Sequence, residues 1–472
     1  MSAPRLDRKV AGKNVTVVGF GRSGSAAAKL AARKGAKSVV VQDRRDAVDI
    51  GDDKVLEVAR EGMRLELGAH RVDTLRKSDL IVVSPGVPPI EAVLQAERDG
   101  VPVISEIELA SWFIGAPYIA VTGTNGKSTV TALAGEMIRA AGIETFVGGN
   151  LGVPLSEAVG QSSTRPGGAI VLELSSYQLE RTFTLRPRVA VLINLTPDHL
   201  DRYASMAEYA AAKQRIFLNQ TRADHAIVAN SDALTLAMAR AGAATVHTWG
   251  GETGSIRVAG GAMVDPTGEK FPLEGLKIRG AHNVENAMAA LLAARLFGAN
   301  GRGLRTALYA FEGLPHRMQF VADDDGILYL NDSKATNVGA AVKALEGCER
   351  RVVLIGGGRH KGGSYAPLRP MLKDRGRALV LVGEATDIMR RELGDLVPVR
   401  TADDMFDAVR LARNLARRGD VVLLAPACSS LDMFENYEER GKVFSAAVKA
   451  MAGTSRQEED LDMEVVVDVD EA

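Results

Sequence analysis

Residues 117–129 read PYIAVTGTNGKST. An apolar, β-branched run leads into two closely spaced glycines, and Lys-Ser-Thr then opens an Ala/Leu-rich stretch of helical character over 129–141. Strand, Gly-rich turn and helix in that order form the unit of a parallel sheet with helical crossovers. Small residues let the backbone N–H groups of Gly123, Thr124, Asn125 and Gly126 converge on phosphate oxygens, and the helix N-terminus adds partial positive charge. Lys127 can reach outer phosphates, and Ser128 or Thr129 offers a hydroxyl to Mg²⁺. The general G-x-x-x-x-G-K-[ST] pattern is missed at one position, where Val121 replaces the first glycine.

The same rhythm repeats on both sides. Upstream, strands are expected at 14–20 (NVTVVGF), 38–42, 80–83 and 103–105, with a helix over 25–34. The Pro/Gly segment SPGVPP at 84–89 reads as a loop at a strand's C-terminal end. Downstream of the phosphate loop, strands are expected at 169–174, 189–194 and 225–229, a short-stranded β insert at 245–278, and a long helix at 283–297. After Gly313-Leu314-Pro315, a third block carries strands at 327–330, 351–355, 378–382 and 421–424. The expectation is an α/β protein of three domains. A Rossmann-like domain spans 1–105, a central P-loop-type ATPase domain with the β insert spans 106–313, and a C-terminal Rossmann-like domain spans 314–453. An acidic tail follows at 454–472. From Gln457 onward there are eight acidic residues and no Lys or Arg, which reads as a solvated, disordered segment.

Composition narrows the function. With 472 residues, 58 Lys+Arg and 59 Asp+Glu, the chain has no basic field to attract a nucleic acid. Neither a leader with an apolar h-region nor an apolar run of membrane-spanning length is seen, so no membrane insertion is expected. The two cysteines, Cys348 and Cys428, have neither disulfide-framework nor metal-cluster spacing, which suits a cytoplasmic protein.

Gly19-Phe20-Gly21-Arg22-Ser23-Gly24 follows a strand and opens a helix, and Asp43 ends the next strand nineteen residues on. Alone, this is a dinucleotide fingerprint with its ribose-binding acid, and it would point to an NAD-dependent oxidoreductase. Such an enzyme would leave GTNGKST idle. A nucleotide-binding regulatory module without catalysis is a further alternative, and phosphate release on substrate addition would exclude it. Glu173 sits at the C-terminal end of AIVLELSS, where an α/β sheet places ligand-facing residues, although a strand-end Glu alone is more often a cap or surface group. His199 follows the strand VLINL, and Lys213 in MAEYAAAKQRIF reads unaided as a solvated helix lysine.

GTNGKST resembles the shortened phosphate loop of the Mur ligase and folylpolyglutamate synthase superfamily. GGNLG (148–152), LELSSYQLE (172–180), TPDHLDRY (196–203), GAHNVENAMAA (280–290) and LPHRM (314–318) follow in that superfamily's order and spacing. The resemblance covers residues 12 to 450. It implies an ATP-dependent ligase that joins a carboxylate to an amine through an acyl phosphate in peptidoglycan precursor synthesis. It further implies two Mg²⁺ ions, with Ser128, Glu173, His199 and a carbamylated Lys213 as ligands and Asp198 and Asp201 in support. Asn286 would meet the adenine, and His316, Arg317 and Asp332 would reach ATP from the third domain. The fingerprint domain would hold the UDP part of a muramoyl nucleotide, with Gly21, Arg22 and Ser23 at the diphosphate, Asp43, Arg45 and Ser84 nearer the uridine, and Asn150 toward the substrate or metal.

The third domain would choose the amine. DSKATN at 332–337 resembles the glutamate-adding branch rather than those using alanine, diaminopimelate or a dipeptide. Thr336, Lys361 in GGGRHKGG, Ser430 and Leu431 in PACSSLD, and Tyr437, where the family often has Phe, match positions that hold the amino acid. The implied partners are ATP, UDP-N-acetylmuramoyl-L-alanine and D-glutamate, used by a cytoplasmic monomer. Glutamate chirality depends on where the α-carboxylate and amine sit, and residue types do not give it.

Overall fold

The structure is a computed structural model that describes residues 6–50, 58, 60–198, 202–278 and 280–465. By internal contacts it divides into two compact units. One is formed by residues 1–195, 202–277 and 283–311, and the other by 196–201, 278–282 and 312–472.

The first unit holds two parallel sheets. In the N-terminal one, β1 (Asn14–Val18), β2 (Ser38–Asp43), β3 (Arg64–Leu67), β4 (Leu80–Val83) and β5 (Val103–Ser105) pair in the order β3-β2-β1-β4-β5. The strand order reverses at β1/β4, the position where doubly wound sheets open a crevice at their C-terminal edge. The apolar side chains of β1 and the helix Arg22–Arg33 are buried together, so an Ala-rich helix face can pack close to the sheet.

The second sheet contains β6 (Tyr118–Thr122), β7 (Thr145–Gly149), β8 (Ala169–Glu173), β9 (Val189–Leu192), β10 (His225–Ala229) and β11 (Thr245–Trp249), ordered β11-β10-β9-β6-β8-β7. β6 and β8 are buried along their whole length, as expected of strands covered on both faces. The β insert differs from the sequence expectation. β11 joins the edge of the main sheet in parallel, and only β12 (Arg257–Ala259), β13 (Ala262–Val264) and β14 (Lys270–Pro272) form a separate antiparallel sheet. The linker helix Glu106–Ser111 connects the two main sheets.

The second unit carries β15 (Gln319–Asp324), β16 (Ile327–Asn331), β17 (Val352–Gly357), β18 (Gly376–Val382), β19 (Val399–Thr401) and β20 (Val421–Leu424), ordered β15-β16-β20-β17-β18-β19. β15 is antiparallel to β16, and the other pairs are parallel. The last helix runs Tyr437–Val465, into the stretch for which an irregular tail was expected. Between Gly453 and Val465 the sequence has no Gly or Pro and includes Arg456, Gln457, Glu458, Glu459, Leu461, Met463 and Glu464, all good helix formers.

Candidate active site

The phosphate loop is built by backbone conformation. Gly123 (φ +148°) and Gly126 (φ +84°) adopt angles that L side chains rarely take. A Cβ on Gly126 would stand 2.4 Å from Asn286 Oδ1, so the loop and the helix Ala281–Phe297 approach as only glycine allows. Gly126 caps the helix Lys127–Ala140 without a side-chain hydrogen bond, which leaves the helix N-terminus without a side-chain acceptor from its cap residue. Asn194, just beyond β9, clamps the loop. Its Oδ1 accepts the N–H groups of Thr124 (3.1 Å) and Asn125 (2.9 Å), and its Nδ2 donates to the Asn125 carbonyl (3.2 Å). Lys127 Nζ donates to the Thr124 carbonyl at 2.7 Å. Ser128 and Thr129 are buried in the first helical turn.

Strand register sets Val121, Glu173 and Gly149 side by side at the C-terminal edge of the sheet. Glu173 is only 2% exposed. Its Oε1 accepts from Asn150 Nδ2 at 2.7 Å, and the Asn150 N–H donates to its carbonyl at 2.9 Å. A Cβ on Gly149 would lie 2.5 Å from that carbonyl, so the turn is seated directly on Glu173. Asn150 therefore meets the strand-end carboxylate. Lys213 is 2% exposed rather than solvated. Its Nζ donates to the Gly123 carbonyl at 2.8 Å and lies 4.7 Å from the Tyr209 ring centroid. Tyr209 Oη is in turn 3.1 Å from Thr124 Oγ1. Lys127, Lys213 and Tyr209 thus all engage the 123–127 loop. Asn286 lies inside its helix, with Nδ2 on Asn283 Oδ1 at 3.3 Å. Asp198 is half-buried, and His199 and Asp201 lie outside the described residues.

In the N-terminal sheet a Cβ on Gly24 would fall 1.8 Å from the Gly19 carbonyl, so the third glycine serves close helix–strand packing. Ser84 Oγ donates to that carbonyl at 2.9 Å. Gly21 starts the helix, Arg22 is exposed and Ser23 half-buried. The Asp43 carboxylate accepts the Phe20 N–H (2.6 Å), the Arg45 N–H (2.9 Å) and the Arg45 guanidinium (2.9 and 3.0 Å). Burial raises its pKa, but these hydrogen bonds outweigh that and hold it at about 2. Asp43 is therefore anionic and fastens Arg45 beside the Gly-rich turn.

In the other unit the loops after β16, β17 and β20 are tied together. Asp332 is buried; desolvation pushes its pKa up to about 6, opposed by Arg317, the Met318 N–H and Lys334. His316 is buried against Gly441, where a Cβ would stand 2.1 Å from its Nδ1, and it meets Asn331 Nδ2 at 3.1 Å. Buried Arg440 donates to Ser333 Oγ (3.0 Å), the Ser333 carbonyl (2.9 Å) and the Cys428 carbonyl (3.3 Å). Arg359 and Ser429 exchange backbone hydrogen bonds at 2.9 and 3.1 Å, which places the Lys361 loop beside the Ser430 loop. Ser333 Oγ donates to the Tyr437 carbonyl at 2.8 Å, and Lys334 Nζ lies 5.2 Å from the Tyr437 ring centroid. Lys361 and Leu431 are exposed, Ser430 is buried, and Thr336 and Tyr437 are half-buried.

Three family models together match most of the chain. The Mur ligase MurD-like N-terminal domain matches residues 13–105, the Mur ligase middle domain matches 121–294, and the Mur ligase glutamate ligase domain matches 316–428. The chain belongs to the Mur ligase family. Two curated relatives are named UDP-N-acetylmuramoylalanine--D-glutamate ligase. The one from Geotalea daltonii is 46% identical over 94% of this Mur ligase and 99% of its own length. The one from Anaeromyxobacter dehalogenans is 46% identical over 94% and 98%. The fold of this Mur ligase is also that of a MurF ligase from Thermotoga maritima solved in complex with ADP (TM-score 0.58, 16% identity, 95% and 98% covered).

Three residues of this Mur ligase escape a reading of the sequence alone. Asn194 stands two residues past β9, and a polar residue directly after an apolar strand could have been flagged. Tyr209 and Arg440 sit in ordinary-looking helical runs, and only tertiary packing reveals them.

Proposed function

We propose that this Mur ligase adds D-glutamate to UDP-N-acetylmuramoyl-L-alanine, with ATP converted to ADP and phosphate, in cytoplasmic peptidoglycan precursor synthesis. The observation that carries the reading is the phosphate loop, clamped by Asn194 and flanked by Glu173, Lys127 and Lys213, in a chain whose near-full-length relatives bear that name. ATP would lie with its phosphates on the N–H groups of 123–127 and its adenine toward Asn286. Arg317 and Asp332 would contact it from the third domain. Gly21, Arg22, Ser23, Asp43, Arg45 and Ser84 would hold the UDP portion, with Asn150 toward the reacting end.

The chemistry has two steps. An oxygen of the alanyl carboxylate forms a bond to the γ-phosphorus as the bridge to the β-phosphate breaks and ADP leaves. The glutamate amine, deprotonated, then adds to the acyl carbon, and the tetrahedral intermediate collapses to the amide with loss of phosphate. Lys127 places positive charge where the transferring phosphoryl group gathers negative charge, the main lever in such reactions. The buried carboxylate of Glu173 and hydroxyl of Ser128 are hard oxygen donors beside the loop, a set that fits Mg²⁺. Two ions, held by Ser128, Glu173, His199 and Lys213 as its carbamate, would supply further charge neutralisation. The carbamate would form from the neutral amine and CO₂ with loss of one proton.

Thr336, Lys361, Ser430, Leu431 and Tyr437 would hold the glutamate, with Lys361 paired to its side-chain carboxylate. A charge-assisted hydrogen bond contributes about 1.5–3 kcal/mol, so Lys361→Ala should lower kcat/KM for glutamate at least about tenfold. KM for ATP should not move, and amino-acid titrations at saturating ATP check this. The reading itself is tested by phosphate release from ATP plus UDP-N-acetylmuramoyl-L-alanine. D-glutamate should drive turnover and L-glutamate should not. Equal rates with both, or a requirement for a different amine, would replace the acceptor.

A further inference from the structure

The linker helix Glu106–Ser111 is fastened to the central sheet on two sides. On one side, Ser105 donates its N–H to the Arg181 carbonyl at 2.8 Å, and its Oγ meets Thr182 Oγ1 at 3.0 Å. Glu108 accepts from Trp112 Nε1 (3.0 Å), the Phe183 and Thr184 N–H groups (2.8 and 3.0 Å) and Thr184 Oγ1 (2.6 Å). Its carboxylate is fully used. On the other side, Glu106 is 2% exposed, and its Oε1 accepts the Ser156 N–H at 2.5 Å. Glu106 Oε2 and Ser156 Oγ find no partner of acceptable geometry among the described residues. Ser156 is the second residue of the short helix Leu155–Ala158, which follows the turn that carries Asn150 and closes through the Gly149 N–H to the Val153 carbonyl at 2.9 Å.

We propose that Glu106 is a positioning residue that, in its neutral form, registers the Asn150 turn against the N-terminal sheet and so sets the span the muramoyl nucleotide must bridge. This rests on the nucleotide reading above.

The surroundings favour the neutral acid. Burial pushes the Glu106 carboxyl up to about 7; the Ser156 N–H opposes this only in part, and Glu157 pushes the same way. No described cation forms an ion pair with it. Arg33 on the neighbouring helix donates to the Ser156 carbonyl instead, at 3.4 Å; Lys29 lines the adjacent groove; and Glu108 faces residues 183–184. A carboxyl whose pKa is higher folded than unfolded contributes stability that is complete below about 4.5 and lost as pH rises through about 7.

The decisive variant is Glu106→Gln, which keeps an acceptor for the Ser156 N–H, places donors beside the unsatisfied Ser156 hydroxyl and cannot ionise. Between pH 6 and 8.5 the wild-type melting temperature should fall relative to that of the variant. Over the same interval the wild-type KM for the muramoyl nucleotide should rise about threefold or more, while the variant's stays flat and the KM values for ATP and glutamate move alike in both proteins. Glu106→Asp, which withdraws the carboxyl by one methylene, should raise the nucleotide KM at every pH. Parallel melting profiles overturn the neutral-acid assignment. Divergent melting with parallel nucleotide KM profiles overturns the positioning role. A wild type that does not turn over the nucleotide sinks the functional reading instead, and the melting comparison still decides the state of Glu106.

Discussion

Replacing Lys127 by Ala should lower kcat/KM about a thousandfold, the loss seen when one preorganised charge or donor is removed from a transition state. The folded protein should barely notice. Lys127 is half-buried, and it donates one hydrogen bond to the Thr124 carbonyl of its own loop. That loop is also held by Asn194, Tyr209 and Lys213, none of which depends on Lys127. Steady-state rates and thermal melting, measured on one preparation, check both halves. A variant with less than a tenfold loss would mean that the Lys127 charge does not face the transferring phosphate.

Lys213→Ala should be comparably inactive, but for a different reason, and should be repairable. As a carbamate, Lys213 would present anionic oxygens, so a small carboxylic acid that diffuses into the space left by truncation can replace them. Formate or acetate should therefore restore a measurable fraction of activity, with saturation, while chloride at equal ionic strength should not. This variant should also melt lower. It loses the 2.8 Å hydrogen bond to Gly123 and the packing on Tyr209; loss of one such hydrogen bond costs about 0.5–1.5 kcal/mol. Full activity in the variant, or no response to any short acid, would leave Lys213 a structural anchor of the loop.

Much of the fold could be read from the chain because buried parallel strands are near-continuous apolar runs. β1, β6, β8, β9, β10, β17, β18 and β20 all lie where such runs occur. The strands not anticipated, Arg64–Leu67, Thr145–Gly149, Gln319–Asp324 and Val399–Thr401, each form an edge of their sheet. An edge strand pairs on one side only and tolerates charge, glycine and brevity, so RLEL, TFVGG, QFVADD and VRT carry little strand signal. β11 is also an edge strand, which is why it was grouped with the insert rather than the main sheet.

The site was legible in the same uneven way. Lys127 announces itself because a Gly-rich turn has local sequence context, whereas a strand-end acid such as Glu173 is set apart from a cap or surface group only by the family resemblance. Lys213 lies in an Ala-rich helical run whose sequence gives no hint of burial; its environment is made by Tyr209 on its own helix and by the Gly123 carbonyl ninety residues away. Asp43 shows the converse. Its spacing from GFGRSG marks it in the sequence, but its hydrogen bonds to the Phe20 N–H and the Arg45 guanidinium, which seat both beside the Gly-rich turn, appear only in the fold.

The most direct test is to label the alanyl carboxylate of UDP-N-acetylmuramoyl-L-alanine with ¹⁸O and follow the isotope through one turnover with ATP and D-glutamate. Activation of that carboxylate by phosphoryl transfer requires one labelled oxygen to appear in inorganic phosphate and the other to stay in the new amide. Phosphate free of ¹⁸O would mean that the carboxylate never bonded to phosphorus, and the account built on the phosphate loop would fail.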